Sequence, residues 1–155
     1  MRLTNDPIRV VKIMNYDLDR FIQAQEYSYN TALAEIKNGF KRTHWMWYIF
    51  PQLKELGRSS TAKYYGIDGL EEAKLYLAHP VLGTRLKEIS EALLKLETND
   101  PYRVMGDIDG LKLCSSMTLF AEVEGYDSVF GKVIDKYYNG NKDMNTIHIL
   151  DCRLT

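Results

Sequence analysis

Lys112, Ser115, Ser116 and Leu119 stand at i, i+3, i+4 and i+7, so a helix through them puts one ammonium and two hydroxyls on one face. Such a trio can hold a phosphate or a carboxylate, the lysine as a point charge and the serines as donors. A Ser–Lys nucleophile is conceivable at the same spacing. In hydrolases of that kind the lysine follows the serine by one turn, whereas here it precedes it. The bland alternative is a solvated lysine, with both serines bonded back to carbonyls four residues earlier.

The second set of candidates lies in residues 43–52, Thr-His-Trp-Met-Trp-Tyr-Ile-Phe-Pro-Gln, which hold both tryptophans of the chain. Each such ring buries roughly 150–250 Å², so this much aromatic area closes a core, an interface or a pocket. Trp45 or Trp47 can stack on a planar group. His44, Gln25 and Gln52 can read its polar edges, and Lys112 with Ser115 and Ser116 can hold its charge. For catalysis His44 is the candidate acid or base, because an imidazole ordinarily titrates near neutrality. A partly buried histidine with satisfied nitrogens is the plain alternative.

Other chemistry-bearing residues read as structural. Cys114 lies between Leu113 and Met117 and reads as an inert core cysteine. His79 precedes Pro80 and reads as a helix-stop residue. Asp107 and Asp109 sit beside glycines, but the spacing of a calcium loop is absent and helix capping explains them. His44, His79 and His148 show no ligand spacing, so no metal site is expected.

These candidates must be carried by helices. From Asp17 apolar residues recur at three- and four-residue steps through Ile36, a stripe of about five turns with Gln25 as its polar member. Asp17 is the expected N-cap and Asn38-Gly39 the stop. Ser59 or Ser60 caps a short helix ending at Gly66, and Asp68 caps another through Leu77. Pro80 fits the first turn of a helix running to about Glu97. A turn around 102–105 leads to a helix over 111–120. Two more run over 128–138 and from Asp143 onward. No strand pairing or internal repeat is visible. The expectation is an all-α domain over 17–155, with six to seven irregular helices rather than an up-down bundle. Residues 1–16 are expected to be a loosely attached N-terminal extension.

Composition narrows the partners. Twenty basic and twenty-one acidic residues give a net charge of −1, without a global pull toward nucleic acid or anionic membrane. Lys37, Lys41, Arg42 and His44 beside the aromatics suggest a stacking platform, but the neutral balance and the lack of a recognition helix argue against nucleic acid. No apolar run is long enough to span a membrane, and no secretory signal is visible. Two cysteines imply no disulfide framework, which suits the cytoplasm.

Four stretches then resemble the family catalogued as domain of unknown function 1810. They are Asp19–Gln25, His44–Gln52, Glu72–Leu86 and Lys112–Phe120, in order and without large gaps from Asp17 to about Asp151. The resemblance implies a small, mostly helical cytoplasmic protein of bacterial type. Members sometimes carry a calpastatin label, yet nothing here reads as a disordered inhibitor. No cofactor follows from it. Two functional expectations stand. One is a pocket between the aromatic segment and the Lys112 helix for a small anionic or nucleotide-like ligand. The other is a protein–protein interaction module that docks through an exposed aromatic segment.

Overall fold

A computed structural model describes residues 16–154. Among these the chain is all-α, with one isolated parallel bridge between Leu53 and Ile67. The expected N-terminal extension, apart from Tyr16, lies outside the described residues.

The helices are α1 (Asp19–Glu26), α2 (Tyr29–Lys37), α3 (Met46–Ile49), α4 (Ser60–Tyr64), α5 (Gly69–Ala78), α6 (Leu82–Leu94), α7 (Pro101–Met105), α8 (Asp107–Glu124), α9 (Val129–Tyr138) and α10 (Met144–Leu154). Among the described residues ten appear where six to seven were expected. The long first helix is two, because Ser28 turns the chain through an i→i−3 bond to the Gln25 carbonyl (3.2 Å). Gln25, Tyr29, Ala32 and Ile36 stay buried on both sides of that turn, so the apolar period runs through it undisturbed. The other additions are the short α3 and α7. Asp100 caps α7 by accepting from Tyr102 N–H (2.9 Å) and Arg103 N–H (3.3 Å), with Pro101 at its first position.

Several ends also move. Leu18 occupies the N-cap position of α1 in place of Asp17. Pro80 lies in a turn and α6 begins at Leu82. There His79 Nδ1 accepts from Val81 N–H (3.1 Å) and Leu82 N–H (3.3 Å), so the histidine is a cap. Ser59 caps α4 by accepting from Ala62 N–H (3.0 Å).

α8, 18 residues long, is the central strut. It packs on α5, α7, α9 and α10, while α6 closes the far side against α2, α5 and α9. Leu113 and Ser116 to Ala121 are buried along it, consistent with a helix apolar on most sides. One core runs from Phe21 through Trp45, Tyr76 and Phe120 to Phe130, ring against ring at 5.1–5.8 Å for the last pairs.

Candidate functional site

The loop between α2 and α3 is hung from one carboxylate. Glu35, buried on the last turns of α2, accepts from Arg42 N–H (2.8 Å), Thr43 N–H (3.1 Å), Thr43 Oγ1 (2.7 Å) and Trp45 Nε1 (2.9 Å). Burial pushes this carboxyl up, but those four donors outweigh it and hold it at about 2. Trp45 is thereby fixed in the core at 1% exposure, so it cannot stack on a ligand. The next indole, Trp47, sits one step further round α3 and is half-buried.

Opposite this loop stands the α7–α8 junction. Lys41 N–H donates to the Val104 carbonyl (2.8 Å), and the Lys41 ammonium pairs with Asp109 (3.0 Å) above the Trp45 ring at 4.9 Å. Gly106 makes the corner at φ +89°, a conformation that favours glycine. Between the two walls lies an open hollow of about 460 Å³, lined on one side by Lys41, His44, Met46 and Trp47. Met105, Gly106, Asp107, Ile108, Asp109 and Lys112 line the other. The first turn of α8 has no side-chain cap and opens on this hollow. Behind Trp47 a narrow slot continues between Trp47, Lys112, Gln52 and Tyr65.

Lys112, the Trp47 indole, the His44 imidazole and the Asp107 carboxylate make no hydrogen bond or ion pair among the described residues. The structure therefore brings Trp47, His44 and Lys112 to one concave surface and places Gln52 in the slot beside it. It does not bring the others. Gln25 is buried and satisfied, donating to the Tyr48 carbonyl (2.8 Å) and Tyr76 hydroxyl (3.0 Å) and accepting from Arg85 (3.3 Å). Ser115 donates to Asp143 Oδ2 (2.8 Å), which also accepts from Thr146 and so caps α10. Ser116 is fully buried, and its hydroxyl has no partner among the described residues. The interaction-module reading needs an exposed aromatic segment, yet Trp45, Met46, Ile49 and Phe50 are all inside.

Cys114 is more open than a core cysteine, but burial first and the Asp143 charge second push its thiol up to about 11. A thiolate nucleophile there is not favoured. Sequence reasoning placed Lys41 in a stacking platform beside the aromatics and took Asp107 and Asp109 for helix caps. The signal that could have found them is Gly106 before an acidic first turn, which marks an uncapped helix start. No described helix is long and apolar enough to cross a membrane.

Residues 15–150 match the family described as protein of unknown function (DUF1810). The crystal structure of the conserved hypothetical protein Rv1873 from Mycobacterium tuberculosis is similar at a TM-score of 0.86 and 43% identity. The match covers 88% of this chain and 98% of that one. Among curated proteins nothing matches.

Proposed function

The chain belongs to the family of proteins of unknown function DUF1810, and we propose that its hollow between α3 and α8 binds a small, planar, anionic ligand of nucleotide type. The observation that carries this reading is that the side chains of Lys112, Trp47 and His44, each without a partner among the described residues, line the same concave surface. Polar groups on a solvated face have no reason to converge; in a ligand site they must.

The roles follow from the chemistry. Trp47 offers a face for a planar ring, and base–aromatic stacking of this sort contributes about 1–3 kcal/mol. Lys112 and the uncapped start of α8 favour a negative group. Lys41 and Asp109 neutralise each other, which leaves Asp107 as an acceptor for a ribose hydroxyl or an amino edge. That acceptor disfavours a bare anion and suits a ligand with donors as well as charge. His44, at the mouth, is the group that would move a proton if the ligand is processed. Gln52 in the slot would read a polar edge that passes Trp47. Cytoplasmic residence and a bacterial source fit this reading. Titrating the protein and its Lys112→Ala variant with nucleoside monophosphates and nicotinamide cofactors tests it. Binding by the parent, lost by the variant at an unchanged melting temperature, is the expected result.

A further inference from the structure

We propose that a second hollow, floored by Arg20, is a separate binding site for a phosphate group. It has a volume of about 440 Å³ and lies against α1, α4 and the start of α5. Its construction begins with the Leu53–Ile67 bridge, where Lys54 N–H donates to the Ile67 carbonyl and Ile67 N–H to the Gln52 carbonyl, both at 2.9 Å. The bridge draws Lys54 against Gly66 so closely that a Cβ there would sit 2.4 Å from Lys54 Cα. Only glycine lets the two chain segments form this floor.

Arg20 lies beneath them with its side chain 9% exposed. Nε donates to the Tyr64 carbonyl (2.8 Å), Nη2 to the Gly66 carbonyl (2.9 Å), and Nη1 to Glu72 (2.9 Å) and the Asp17 carbonyl. Four of the five N–H groups of a guanidinium are thus committed. The second hydrogen of Nη2 has no partner among the described residues, which leaves it available to an acceptor in the hollow.

The charges around it balance in number, but its two lysines make no ion pair among the described residues. Glu72 is held by Arg20 and by Asp68 N–H (2.7 Å), and the Asp68 carboxylate faces Arg153 (3.0 Å), which also pairs with Glu55. Lys54 and Lys63 are both exposed and unpaired among the described residues, with Asp17 beside them. A compact anion is therefore drawn to the Arg20 hollow, with two mobile ammonium groups over a fixed guanidinium. Tyr64, 57% exposed, stands at its rim and offers a ring to the organic part of a phosphomonoester.

Calorimetric titration of the full chain at low salt tests this site, with inorganic phosphate in one arm and ribose 5-phosphate in the other. The variants are Lys54→Ala/Lys63→Ala, Lys54→Arg/Lys63→Arg and the surface control Lys132→Ala. The double alanine variant should lose at least tenfold in affinity at unchanged circular dichroism, and the double arginine variant should regain it. Lys132→Ala, an exposed lysine of α9 that lines neither hollow, should stay within twofold of the parent for both probes. Tighter ribose 5-phosphate binding assigns the hollow to monoesters, and equal binding to free phosphate. No phosphate binding by the parent overturns the proposal, as does undiminished binding by the double alanine variant or an equal loss in Lys132→Ala. The outcome is independent of whether the Trp47 hollow takes a nucleotide.

Discussion

At the residue scale the decisive group is Glu35, whose single carboxylate organises the whole segment that ends in Trp47. Its folded state releases a proton far more readily than an unfolded glutamate, whose ordinary value is 4.5. The carboxylate therefore contributes its full stabilisation above pH 4.5 and loses it as pH falls through about 2. A displacement of that size is roughly 3 kcal/mol. Glu35→Gln should lower stability by a similar amount at pH 7 and flatten the acid limb of the unfolding curve between pH 4.5 and 2. A variant with the parent's acid limb would show that the carboxylate is not what holds the loop. The two indoles should also separate cleanly. Trp45→Ala should cost about 3–5 kcal/mol, as large aromatic truncations in cores do. Trp47→Ala should cost no more than about 1–2 kcal/mol. Chemical denaturation of both variants checks the order, and an equal loss would place Trp47 in the core as well.

Elements in this protein are joined by close backbone approaches that a helical period does not report. Gly83, early in α6, faces the end of α5 so tightly that a Cβ would come 2.0 Å from the Leu77 carbonyl oxygen. Gly83→Ala should destabilise by about 1–3 kcal/mol through overpacking, read as a lowered melting temperature. A neutral or stabilised variant would mean that α6 can slide away from α5 without loss. The same blindness explains where the sequence was misread. Apolar spacing in the chain from Leu18 to Ile36 is indifferent to the turn at Ser28, since the stripe faces the core before and after it. α7 was read as a turn because five residues carry too little period, although Asp100-Pro101 was a legible start. α8 extends beyond 111–120 at both ends, and at its start Asp107 and Asp109, read as caps, lie within its first turn.

At the scale of the whole molecule, fold class was legible because long helices write their buried faces into the chain. The site was legible only in part. Lys112 and Trp47 stood out by type and spacing, and α8 with α3 does set them at one hollow. Gln25, Trp45 and Ser115 stood out equally, but their partners Arg85, Glu35 and Asp143 lie 60, 10 and 28 residues away in sequence. Pairings such as Arg20 with Glu72, 52 residues apart, exist only once the chain has closed. The central claim is that the Trp47–Lys112 hollow is a ligand site, and calorimetric titration with nucleoside monophosphates tests it most directly. A ligand at 100 times its dissociation constant should add about 2.7 kcal/mol to stability. The account predicts that Lys112→Ala and Trp47→Ala each weaken that binding at least tenfold while Lys54→Ala/Lys63→Ala leaves it within threefold. Failure of every nucleotide to bind, or binding indifferent to Lys112 and Trp47, would contradict it.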